Sequence, residues 1–262
     1  MPDGALPSSV SLSREGAIAI VRLARPEKRN ALNDETVLGL EAAFRALGED
    51  VKAVVLAGDG EHFCAGLDLS ELSERDAVAG IAHSRLWHRA FDFIQYGPAP
   101  VVALLHGAVV GGGLELASAT HIRVAERSAL YALPEGQRGI YVGGGASVRL
   151  SRLIGVPRMM DMMLTGRTYD AAEGVALGFS QYLVEPGEGL ARAMAIARRI
   201  AENTAMTNFA VTHALPRIAE ADPQTGLLAE ALMAAIAQAS PEAKQRLGDF
   251  LEKRAPKVTK SS

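Results

Sequence analysis

Cysteine is nearly absent. Cys64 is the only one in 262 residues, so no intrachain disulfide and no cysteine-based metal cluster can form, and a reducing compartment suits the chain. Excess charge is lacking too. A formal net charge of −3 gives nucleic acid no general attraction, and Arg198-Arg199 is too small a basic cluster to supply one. No long apolar run goes uninterrupted: the longest, around residues 100–119, is broken by His106 and Glu115 and makes a poor membrane span. The first residues, MPDGALPSSV, carry neither the basic nor the apolar segment of a secretory signal. These absences predict a soluble, cytoplasmic protein with no nucleic-acid or membrane partner. Nucleotide loops are missing as well. Neither GxxxxGK[ST] nor GxGxxG occurs, and GASVR at residues 145–149 fails the GxSxG pattern of a nucleophile elbow.

What the chain does have is apolar residues, 48% of the total, enough to fill the core of one large domain or of a domain with an appendage. Residues 17–23 (AIAIVRL), 51–56 (VKAVVL) and the segment PAPVVALLHG read as strands, with HIRVAE and ALYAL as shorter ones. Between them lie helical patterns. Asp34 is placed to cap a helix to Leu47, with Val37, Leu40, Phe44 and Leu47 apolar; another helix runs up to Gln95, and a third starts at Leu114. Alternating strands and helices predict an α/β fold. From Leu190 the texture turns helical, with Leu190, Met194, Ala197 and Ala201 at helical spacing. The expected organisation is a loose tail over 1–9, an α/β core over 10–188 and a helical segment over 189–262.

One stretch, HGAVVGGGLELASA at residues 106–119, combines two costly features: three consecutive glycines, Gly111 to Gly113, and a carboxylate, Glu115, in apolar company. A strand leads in and a helix leads out, so unpaired N–H groups and the positive end of a helix dipole face whatever approaches the glycines. HFCAGLDLSE forms a second turn of the same kind. Two such turns can aim two N–H donors at one carbonyl oxygen. Glu115 and Glu135, twenty positions apart, would then lie opposite, with Pro134 fixing the backbone of the second at a strand end.

CAGLDLSE, HGAVVGGGLEL, LPEGQRGIYVGGG and DFLEKRAP together resemble the signature segments of the crotonase, or enoyl-CoA hydratase/isomerase, superfamily, from the first strand to the last helix. The resemblance implies a spiral of ββα units with a C-terminal helical trimerisation segment, and a homotrimer or homohexamer. It implies an acyl-CoA substrate and no cofactor, coenzyme A being part of the substrate, and no metal. Carried over by motif, Ala65 and Gly112 supply the oxyanion-hole N–H groups, and Glu115 and Glu135 match both glutamates of the hydratases. Lys28, Arg29, Gly66, Leu67, Asp68, Leu69 and Gly111 fall in substrate- and CoA-binding segments, and Phe250 and Lys253 match positions that reach a CoA on a neighbouring subunit. The implied activity is hydration of a 2-enoyl-CoA to a 3-hydroxyacyl-CoA. Alternatives are another crotonase-type isomerase, dehydratase, hydrolase or hydratase–lyase, and a non-catalytic or RNA-binding relative.

Plainer roles compete at several positions. Asp68 is expected to cap the helix that follows it, Cys64 to be packing rather than a thiol nucleophile beside His62, and His106 to make a structural hydrogen bond. Trp87, Phe91 and Phe93 are read as core aromatics or as acyl-pocket lining. Two places depart from the family pattern. Gly-Gln-Arg follows Glu135 where relatives carry aliphatic residues, and Val142 stands where many hydratases have proline. Arg138 therefore either places a charge near the acyl pocket or pairs outward, which argues against a plain fatty acyl specificity.

Overall fold

The computed structural model describes residues 6–68, 70 and 76–252. They divide into two compact units, one reaching Ala201 and one beginning at Glu202. In the first, β1 (Val10–Glu15), β2 (Ile18–Leu23), β3 (Ala53–Gly58) and β4 (Val101–Leu105) are joined by β6 (Ile122–Glu126) and β9 (Tyr182–Val184) in a six-stranded sheet of order β1-β2-β3-β4-β6-β9. Only the β1–β2 pair is antiparallel. A smaller sheet holds β5 (Ala108–Val110), β7 (Leu130–Ala132) and β8 (Tyr169–Asp170).

Parallel strands covered on both faces should be apolar throughout, and β3 (AVVLAG) and β4 (VVALL) are buried at every residue. Their side chains alternate between two cores. Val54, Leu56, Val101, Ala103 and Leu105 join α1 (Asp34–Arg45) and α2 (Ala77–Gln95) on one face. Ala53, Val55, Ala57, Val102 and Leu104 meet Ala193, Met194, Ile196 and Ala197 of α7 (Gly189–Ala201) on the other. Each fully buried valine or leucine contributes about 1.5–3 kcal/mol. The helical texture that begins near residue 190 thus starts inside the first unit, because α7 roofs the large sheet.

The remaining helices of this unit are α3 (Gly112–Ser118), α4 (Ala146–Ile154), α5 (Val156–Thr165) and α6 (Ala171–Ala176). Residue 34 is not the cap of α1. Asn33 is, its side chain accepting from the Thr36 N–H, while Asp34 opens the first turn and turns its carboxylate to His83 and the Trp87 indole N–H. Four strands escaped the sequence pattern. β1 is mostly exposed, so it has no apolar signature, and β5, β8 and β9 are only two or three residues long.

The second unit consists of α8 (Ala205–Phe209), a π-helical turn (Ala210–Ala214), α9 (Leu215–Ile218), α10 (Pro223–Ala239) and α11 (Pro241–Leu251). Among the described residues, no helix is long and apolar enough to cross a membrane, and no group of three His, Cys, Asp or Glu could hold a metal.

Candidate active site

The two glycine-bearing turns are sewn together by backbone. The Cys64 N–H donates to Ala108 O at 2.9 Å and the Val110 N–H to Cys64 O at 3.1 Å, so residues 64–68 run beside β5. On the other side, Leu32 donates to Gly66 O at 2.7 Å and accepts from the Asp68 N–H at 2.8 Å. In that bridge, Leu67 is the residue whose own N–H points away from Leu32. It has no backbone acceptor among the described residues. A Cβ added to Gly112 would sit 3.5 Å from the Leu67 nitrogen, which puts the Leu67 N–H beside the first N–H of α3.

This corrects the expected donor pair. The Ala65 N–H is spent on Arg29 O at 3.0 Å and is not free for a substrate oxygen. The free donor is two residues on, at Leu67, and a motif match alone cannot tell them apart because hydrogen-bond direction depends on the strand register.

Gly111 explains part of the glycine run. Its φ of 53° and ψ of −121° suit no residue with a side chain, and a Cβ there would lie 2.6 Å from Glu135 Oε1. The same backbone turn that frees the Gly112 N–H therefore makes room for the second glutamate.

Glu115, on the first turn of α3, is buried. Its Oε1 accepts from the Gly144 N–H at 2.8 Å and the Ala146 N–H at 3.1 Å. Burial lifts its pKa to about 7 against the pull of those two N–H groups, and the neighbouring Glu135 adds to the rise. Glu135 does not end a strand. It lies past β7 and Pro134, capping a 3-10 turn (Gly136–Arg138). Its pKa is also raised, chiefly by burial, and its Oε2 is buried with no hydrogen-bond partner among the described residues.

Both carboxyls face one cavity of about 160 Å³, whose wall also includes Ala65, Gly66, Leu67, Gly111 and Gly112. Trp87 lines it, whereas Phe91 is core and Phe93 packs under Arg45, whose guanidinium lies 4.1 Å from the ring centre. Asp68 is not in the wall. Its carboxylate pairs with Arg25 at 2.9 Å and accepts from the Ser70 N–H and hydroxyl, and these hold its pKa near 2. Lys28 and Arg29 also lie outside the wall, although the Arg29 carbonyl anchors the turn at Ala65. Phe250 is exposed on α11 of the second unit; Leu69 and Lys253 fall outside the described residues.

Cys64 is buried and its thiol is pushed up to about 12 by desolvation, which suits packing and not nucleophilic attack. His106 hydrogen-bonds Gly60 O at 3.1 Å. One residue went unrecognised in the sequence: Arg149. Buried in α4, it donates to Gly144 O at 3.0 Å and to Asp92 at 2.7 Å, and so holds the turn whose N–H groups grip Glu115. GASVR, read only as a failed nucleophile elbow, contained it.

Two sheets, two cross-braced turns and a pair of convergent glutamates define the crotonase fold, an architecture of acyl-CoA enzymes. The chain belongs to the enoyl-CoA hydratase/isomerase family, whose sequence model matches residues 13–261. It is 32% identical to a short-chain-enoyl-CoA hydratase of Clostridium acetobutylicum, covering 94% of this chain and 96% of that one. With an enoyl-CoA hydratase assigned in Thermus thermophilus, it shares 36% identity over 93% of this chain and 98% of the relative. A crystal structure from Rhodopseudomonas palustris, assigned as an enoyl-CoA hydratase, superposes with a TM-score of 0.92 at 59% identity, covering 94% and 96% of the two chains.

Proposed function

We propose that the protein adds water reversibly across the double bond of a 2-enoyl-CoA thioester, giving a 3-hydroxyacyl-CoA. The observation that carries this reading is that two carboxyl groups of raised pKa and two N–H donors converge on one cavity. As water attacks C3, negative charge moves to the thioester oxygen, where the N–H groups of Leu67 and Gly112 receive it. One such preorganised donor is typically worth about 2.7–4 kcal/mol of barrier.

Water must lose a proton while C2 gains one. Two carboxyls at one site resist double ionisation, so one stays protonated while the other is charged. Glu115, gripped by two N–H groups that favour its anion, takes the proton from water; Glu135 gives its proton to C2. Proton exchange between the pair restores the starting state, so the cycle balances.

Product analysis tests the reading. Wild-type protein with 2-butenoyl-CoA should lose the enoyl-thioester ultraviolet band and yield 3-hydroxybutyryl-CoA by mass spectrometry. Release of free CoA, a shifted double bond, or salt-sensitive RNA binding without thioester turnover would overturn it.

Self-association is part of the same proposal. Leu228, Leu232 and Ile236, with Leu227 beside them, form an exposed apolar face on α10, which a soluble monomer would leave in water. A homotrimer or homohexamer covers it. Light scattering should find such an assembly, shifting to smaller species in Leu228→Glu/Leu232→Glu; a monomeric wild type contradicts it.

A further inference from the structure

Gly144 and Gly145 make room for two opposite charges. A Cβ on Gly144 would lie 2.9 Å from Glu115 Oε2, and one on Gly145, where φ is +107°, would collide with the Arg149 guanidinium. A carboxylate and a guanidinium thus occupy spaces that glycine leaves open against one short turn of backbone. The turn is held from both directions. Its Gly144 and Ala146 N–H groups donate to Glu115, and its Gly144 carbonyl accepts from Arg149 at 3.0 Å.

A neutral side chain could brace a carbonyl, so the charge on Arg149 calls for its own explanation. The side chain is only 8% exposed, and a buried cation is costly unless opposite charge lies near it. Its Nε donates to Gln95 Oε1 at 2.6 Å and its Nη2 to Asp92 Oδ1 at 2.7 Å, both on α2. Asp92 is 56% exposed, so water weakens its hold on the cation. Ionised Glu115 supplies the anion on the buried side. The attraction is mutual: Arg149 favours the charged form of Glu115, against the burial and the neighbouring Glu135 that favour the protonated form. Glu135 has Arg138 near it instead, but Arg138 is exposed on its turn and screened by water. The remaining groups around the pair are His83, held by Asp34, and His88 and Tyr96, which face Arg149.

We propose that Arg149 is a positioning residue for Glu115: it fixes the turn that clamps this carboxyl and sets a buried positive charge behind it, so that Glu115 ionises inside the cavity as the base of the pair. Arg149 is not in the cavity wall, so it acts through Glu115 and not on substrate. The word base rests on the hydratase reading; the coupling of Arg149 to the Glu115 carboxyl does not.

The test follows that carboxyl directly. In protein carrying carbon-13 at its glutamate side-chain carboxyls, the resonance missing from Glu115→Gln is titrated in wild type, Arg149→Gln and Arg149→Lys. Loss of a nearby cation favours the protonated carboxyl, so the midpoint should rise by about one pH unit in Arg149→Gln. It should stay near wild type in Arg149→Lys, which keeps the charge, and the resonance missing from Glu135→Gln should hardly move. In hydration of 2-butenoyl-CoA, Arg149→Gln should lose about tenfold to a hundredfold in kcat with KM little changed. An unmoved Glu115 midpoint in Arg149→Gln, or an equal shift of both glutamates, overturns the proposal and leaves Arg149 a brace of the fold. Should Arg149→Gln not fold, Asp92→Asn at low ionic strength decides. Freed of its outer anion, the cation should pull the Glu115 midpoint below that of wild type, and an unchanged or raised midpoint overturns the proposal. Absence of hydration by wild type refutes the hydratase reading, while the titration still decides the coupling.

Discussion

Glu115 and Glu135 share a cavity, but the chain treats them in opposite ways. Glu115 stands on a regular helix and is clamped from across the site by the Gly144 and Ala146 N–H groups, with Arg149 bracing the clamp through Gly144 O. Glu135 stands at the start of a short 3-10 turn with one oxygen against Gly111 and the other buried without a partner among the described residues. The clamped carboxyl has its geometry settled before substrate arrives. The other has no such clamp among the described residues, and its second oxygen is left for the contents of the cavity. In the proposed hydration, a base that must hold water in one place and an acid that must reach carbon call for this asymmetry.

The largest expected effect comes from removing either carboxyl. Glu115→Gln and Glu135→Gln should each lower kcat by about 10²–10⁴ in a hydration assay while circular dichroism stays unchanged. Next come the glycines that let each carboxyl in. Gly144→Ala drives a Cβ to 2.9 Å from Glu115 Oε2, and Gly111→Ala meets Glu135 Oε1 and forces a strained backbone as well. Gly111→Ala should lose about 1–3 kcal/mol of stability in urea titration, with most of its activity. Gly144→Ala should lose activity with the smaller change in stability.

A subtler test separates the glutamates by pH. The folded pKa of Glu115 lies above the ordinary 4.5, at about 7. The folded state therefore keeps a proton the unfolded chain has released, and stability is lost as pH rises through that window. At pH 8 the deficit is about 3 kcal/mol, so Glu115→Gln should melt higher than wild type there and nearly alike at pH 4. Glu135→Gln should show the same sign, since burial raises that carboxyl too. Equal melting of Glu115→Gln and wild type at both pH values would mean that burial of this carboxyl is not the strain described. The smallest effect is at Cys64: the native protein should resist thiol-labelling reagents, and Cys64→Ala should keep its activity.

Sequence carried much of this, for physical reasons. β3 and β4 are buried on both faces, so their apolar runs announce them, and Glu115 is conspicuous because a carboxylate in an apolar run is costly. What stayed hidden depends on direction more than composition. Whether Ala65 or Leu67 offers its N–H is decided by the bridge to Leu32, and the Arg149 brace by two segments that meet only in three dimensions. Arg138 was visible as a departure from the pattern, but its place beside the cavity, on an exposed turn, emerges only in three dimensions.

The most direct measurement is parallel hydration of 2-butenoyl-CoA by wild type, Glu115→Gln and Glu135→Gln, each confirmed as folded. The account predicts 3-hydroxybutyryl-CoA from wild type and at least about a hundredfold loss in both variants. Near-normal hydration by either variant would contradict it.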